Sequence, residues 1–158
     1  MKILLAIDGS SHALQAVRQA LRWVDEGLRA DFVLVNVQEP ASLYEVVTAH
    51  DAELIDRVRG AAGADLLKAA EELLDDAEVG YESEVAGGVP EHLIVEVAEN
   101  YGCDHIVMGA LGTGHAEGHA LGRVAQAVLQ GSPMPVTVVR AGEAAAGEAA
   151  GDDDADMA

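Results

Sequence analysis

The sequence predicts a single α/β domain built on a parallel sheet, and three observations predict it. Five short strand candidates alternate with four stretches of helical periodicity over residues 1–140, the order expected when parallel strands are joined by right-handed helical crossovers. Most of the strand candidates are continuous apolar runs, which suits strands covered on both faces. A chain of 158 residues is also the size of one domain, able to bury roughly two-thirds of its unfolded surface.

The first run, Lys2 to Ile7, stops at Asp8-Gly9-Ser10-Ser11. Leu14, Val17, Leu21, Val24 and Leu28 then recur at intervals of three and four, so a helix follows, capped by Ser10 or Ser11. Asp31 to Gln38 is the second strand. Ala41 to Arg59 holds one or two helices, with no clear pattern between Thr48 and Asp51. Beyond Gly60 and Gly63, Asp65 can cap a helix whose apolar face is Leu66, Leu67, Ala70, Leu73 and Leu74. Val79 to Ala86 alternates in polarity, as a half-exposed edge strand does. Pro90 suits a first helical position, Leu93, Ile94, Val97, Ala98 and Tyr101 form the helical stripe, and Gly102 stops it. The fourth strand spans His105 to Met108, the last helix carries Val124 to Leu129, and the fifth strand is Pro135 to Val139. From Ala141 the composition changes to AGEAAAGEAAGDDDADMA, which cannot bury enough surface to offset ordering entropy. Residues 1–140 are therefore expected to form the folded domain and residues 141–158 a disordered acidic tail.

Charge excludes several function classes. Asp and Glu number 28 against 9 Lys and Arg, a net charge of −19, and only Lys2 and Lys68 are lysines. Such a surface repels nucleic acid and anionic membrane, and its acidic, lysine-poor make-up is that of proteins from a high-salt cytoplasm. No apolar run approaches the about 20 residues that cross a bilayer, and the N-terminus leads straight into a fold pattern; the expected location is the cytoplasm. Cys103 is the one cysteine and reads as a core residue rather than a reactive thiol.

Between the fourth strand and the last helix lie Gly109, Gly112, Gly114, Gly118 and Gly122. Glycine lets a strand-to-helix loop approach a ligand closely, and the helix beyond offers free N–H groups and a positive dipole end. A phosphate suits that combination. The glycines are spaced as G-x-x-G, nine residues, then G, and with Ala6-Ile7-Asp8-Gly9-Ser10 and Ile106-Val107-Met108-Gly109 the segment resembles the universal stress protein family. The resemblance covers nearly all of residues 1–140. It implies a doubly wound five-stranded sheet of order 3-2-1-4-5 with helices on both faces. In such a sheet ligands bind past the carboxyl ends of strands 1 and 4, where the winding reverses.

The resemblance also implies the site. Ala6, Ile7 and Asp8 end the first strand, Val37 the second and Met108 the fourth; Gly109 and Gly112 would form a phosphate cradle, completed by Gly122, Arg123 and Val124 at the next helix start. Read from the residues alone, Asp8 equally caps the turn into the first helix, and Val37 is a core valine. Arg123 stands where nucleotide-binding members of the family carry Ser or Thr. A cation in a first helical turn is opposed by the dipole, which leaves three roles for it: phosphate contact, attachment to an acidic side chain, or a plug in the pocket.

His115-Ala116-Glu117-Gly118-His119 departs from H-E-x-x-H and lacks a nameable third ligand, so no metal site is expected. No catalytic motif is present: there is no G-x-S-x-G, C-x-x-C or G-x-x-x-x-G-K-[ST]. The expected function is a regulator that binds an adenine nucleotide, ATP with magnesium, as a homodimer joined through Pro135 to Val139, and acts on an unidentified regulatory protein. Two rivals stay open: a nucleotide-free interaction module whose pocket is altered by Arg123, and a slow nucleotide phosphate hydrolase.

Overall fold

The structure, a computed structural model, describes residues 1–40, 47–48, 51–113 and 121–141. Strands β1 (Lys2–Ala6), β2 (Asp31–Gln38), β3 (Tyr81–Gly87), β4 (His105–Gly109) and β5 (Val136–Val139) alternate with helices α1 (Ser11–Asp25), α2 (Ala52–Asp76), α3 (Pro90–Asn100) and α4 (Arg123–Gly131). The strands form one sheet in the order β3-β2-β1-β4-β5, and every pairing is parallel. The winding reverses between β1 and β4, as the sequence leads one to expect.

Strand periodicity divides the core. Ile3 and Leu5 of β1 with Phe32 and Leu34 of β2 face one way and pack under α1 and α2, through residues such as Val17 and Leu67. Leu4, Val33, Val35, Ile106 and Met108 face the other way, under α3 and α4. Cys103 is buried on that second face, and burial pushes its thiol up, the state of a core residue. Beneath the sheet's other end, His105 is hydrogen-bonded through Nε2 to Thr137 Oγ1 at 2.7 Å and stands edge-on to Trp23; burial holds its imidazole below the usual range.

Local chemistry explains the helix ends. The Ser10 hydroxyl accepts from the Ala13 amide at 3.2 Å and caps α1. The helix stops at Asp25, because Gly27 takes φ +113° and turns the chain; Leu28 thus leaves the helix and still packs on the core. Proline begins α3, and Gly102, at φ +68°, follows its end.

The helix expected to be capped by Asp65 is capped fourteen residues earlier: α2 is one helix from Ala52 to Asp76, capped by Asp51, whose carboxylate accepts from the Leu54 amide at 3.2 Å. Gly60 and Gly63 do not interrupt it. At Gly63 the reason is contact with the sheet, since a Cβ there would fall 2.5 Å from Val85 Cγ1 and 2.9 Å from Asn36 Oδ1. Strand β3 begins at Tyr81 rather than Val79, after a turn in which Glu78 takes φ 56°. The expected helix near Leu43 and Val46, the histidines His115 and His119, and the tail beyond Ala141 lie outside the described residues.

Candidate functional site

At the carboxyl ends of the strands, the β1 and β4 loops and the start of α4 enclose a cavity of about 490 Å³, within the usual range for small-molecule sites. Ala6, Ile7, Asp8 and Val37 line one part of it; Met108, Gly109, Gly112, Gly122, Arg123 and Val124 line another. All ten residues singled out from the sequence thus meet around one space.

On the β1 side, the Asp8 carboxylate accepts from the Ser10 amide through Oδ1 at 2.9 Å, so the turn-capping role is realised. Its other oxygen faces the glycine loop: a Cβ on Gly112 would lie 2.8 Å from Oδ2. Gly9 takes φ +85°, and a Cβ there would strike Leu66 of α2 at 2.6 Å. Leu66, half-exposed, lines the cavity from that direction.

On the β4 side the two glycines serve different ends. A Cβ on Gly109 would fall 2.8 Å from the backbone carbon of His12, so this glycine lets the end of β4 touch the start of α1 and draws the two loops together. Gly122 donates its amide to the Ala110 carbonyl at 2.7 Å, which removes that N–H from any phosphate cradle. It is the N-cap of α4, whose first intrahelical bond runs from the Gln126 amide to the Gly122 carbonyl. The amides of Arg123, Val124 and Ala125 precede that bond and have no partner within the helix. All three residues line the cavity, and the dipole end they mark favours an anion.

Arg123 is tied to an acidic side chain. Its Nη1 donates to Glu91 Oε1 at 2.8 Å, joining the first turns of α4 and α3. The Arg123 side chain is 65% exposed and that of Glu91 17%. Glu91 Oε2 is buried with no hydrogen-bond partner among the described residues. The Glu91 carboxyl is held below the usual range, first by its own backbone N–H and then, against the effect of burial, by Arg123.

Sequence reasoning passed over Asn36, which is 2% exposed. Its Nδ2 donates to the Ile7 carbonyl at 2.8 Å, and its Oδ1 accepts from Gln38 Nε2 at 2.7 Å. Because a carbonyl can only accept, the Ile7 bond fixes which way the Asn36 amide points, and that in turn fixes Gln38. The two side chains hold the end of β1 against β2 and form part of the cavity wall. The signal was available: Asn36 is the polar residue inside the apolar run 32–37. No comparable signal marked Glu91, whose partner lies 32 residues away.

Among known proteins, the model of the universal stress protein family matches residues 1–140. Universal stress protein MJ0531 of Methanocaldococcus jannaschii is 31% identical over 139 residues, covering 88% of this chain and 81% of that protein. The solved structure of hypothetical protein MJ0577 superposes with a TM-score of 0.73 at 26% identity, over 88% of this chain and 94% of that one. Two solved relatives contain nucleotides: a universal stress protein in complex with cAMP (TM-score 0.66, 23% identity, 88% of this chain and 96% of that one) and an Arabidopsis thaliana family member with AMP bound (TM-score 0.66, 18% identity, 91% and 94%).

Proposed function

The chain belongs to the universal stress protein family, and from that premise we propose that it is a regulator that binds an adenine nucleotide, ATP with magnesium, in the cavity between the β1 and β4 loops. One observation carries this reading: the first-turn residues Arg123, Val124 and Ala125 of α4 and the other residues named from the sequence line a single space of about 490 Å³. Solved relatives with cAMP and with AMP support the nucleotide class. The apolar side chains Val35, Val37, Ile94 and Met108 suit a base, and the α4 start suits phosphate. Magnesium would enter with the phosphates, since it keeps several waters and needs few protein ligands.

The working form is a homodimer. Strand β5 ends the sheet and its four residues are only partly covered, whereas the opposite edge, β3, carries exposed Glu82 beside Glu84. Charge protects one edge from pairing and leaves the other suited to it. No helix among the described residues is long and apolar enough to cross a membrane; the proposed compartment is the cytoplasm, and the proposed target is a regulatory protein that the dimer contacts. Catalysis forms no part of this reading.

Thermal unfolding with and without ATP and magnesium tests it. Ligand at a hundred times its dissociation constant stabilises the native state by about 2.7 kcal/mol, a clear melting shift that inorganic phosphate at equal concentration should not reproduce. Gly122→Glu, which puts a carboxylate beside the α4 amides, should abolish the shift. An unchanged melting temperature at millimolar ATP would turn the assignment to the nucleotide-free interaction module.

A further inference from the structure

The ion pair at the lip of the cavity is asymmetric. Glu91 belongs to the first turn of α3, where a helix dipole favours a carboxylate, and Arg123 belongs to the first turn of α4, where the dipole opposes a cation. Glu91 is largely covered, while the arginine side chain is mostly in solvent. The glutamate is therefore the fixed partner and the arginine the movable one. Their contact is a single hydrogen bond, Nη1 to Oε1, which occupies one of the five donors that a guanidinium offers. Arg123 itself lines the cavity beside Val124 and Ala125, whose amides precede the first intrahelical bond of α4.

We infer that Glu91 and the phosphate of the ligand compete for Arg123, so that Glu91 is the positioning residue that sets how strongly this site holds an anion. This rests on the nucleotide reading for the identity of the ligand, but not for the competition. With the cavity empty, Glu91 neutralises a cation that the α4 dipole disfavours. An anion at the α4 start offers the same guanidinium a second partner and reduces the dipole's opposition to it. Arg123 then contacts the phosphate itself, and Glu91 weakens the hold by the strength of the contact that must be broken. Adenosine, which has no phosphate, escapes this competition.

The test is calorimetric titration of the full chain with tripolyphosphate, ATP and adenosine. The variants are Glu91→Gln, Arg123→Gln, the double variant and Glu91→Asp, each checked for folding by circular dichroism. Glu91→Gln should tighten both anions about two- to fivefold, the range of an exposed ion pair, and leave adenosine unchanged. Glu91→Asp keeps the charge but withdraws it from Nη1, and should tighten them in the same direction. On the Arg123→Gln background the Glu91→Gln change should not matter. Equal affinities in the native protein and Glu91→Gln overturn the inference, and so does an equal gain in the double variant, which would mean general repulsion rather than capture of Arg123. If ATP and adenosine bind to no variant while tripolyphosphate follows the expected order, the nucleotide reading falls and the competition stands. Failure of tripolyphosphate to bind Glu91→Gln sinks the competition itself.

Discussion

Replacing Asn36 by leucine nearly conserves side-chain volume but removes both of its hydrogen bonds, leaving the Ile7 carbonyl and the Gln38 amide without their partner. Removing one partner of a buried pair costs about 1–3 kcal/mol, so Asn36→Leu should lower the unfolding free energy by that amount. Urea denaturation measures it, and a loss below about 0.5 kcal/mol would show that the relay contributes little. The cavity is affected as well, because the same bonds hold the end of β1 in place, and Asp8 follows two residues after that strand. Asp8 shows how a residue serves two ends. One oxygen fastens the turn that starts α1, and the other is directed at the glycine loop, so the capping and ligand roles weighed from the sequence are compatible.

Helix α2 runs through two glycines that, by propensity, cost about 1 kcal/mol each relative to alanine. Their surroundings separate them. Nothing lies within 4 Å of a Cβ at Gly60, whereas at Gly63 the Cβ would meet Val85 Cγ1 at 2.5 Å and Asn36 Oδ1 at 2.9 Å. Gly60→Ala should stabilise the protein by up to about 1 kcal/mol. Gly63→Ala should destabilise it, since the valine is short and branched and the asparagine is pinned, so neither can retreat cheaply. Chemical denaturation of the two variants side by side decides this; a gain at both positions would mean that β3 yields to α2. The close approach also explains why a break expected after Gly63 from propensity is absent.

For the whole molecule, charge opposes the proposed assembly. Two chains of net charge −19 repel one another as their β5 edges meet, and the repulsion falls as the screening length shrinks from about 30 Å at 0.01 M salt to about 3 Å at 1 M. Sedimentation equilibrium at molar potassium chloride should therefore give twice the chain mass of 16.4 kDa, with dissociation toward the single chain at about 0.01 M salt. A single-chain mass at every salt concentration would refute the dimer. A dimer equally tight throughout would refute the part assigned to charge.

Much of this architecture was legible in the chain because it arises from short-range chemistry. Apolar runs at 2–7, 32–37 and 105–108, the Ser10 cap, Pro90 at the start of α3 and the glycine spacing from Gly109 to Gly122 each depend on residues within a few positions of one another. With the family resemblance, they led to the strand order and to ten residues that line one cavity. What only the tertiary structure decided lies between residues distant in sequence. Glu91 meets Arg123 across 32 positions and Ile7 meets Asn36 across 29; Gly63 is required by a strand that follows its helix, and Gly122 gives its amide to Ala110. Periodicity tells which face of an element is buried, but the partner on that face exists only once the crossovers have brought two elements to the same end of the sheet.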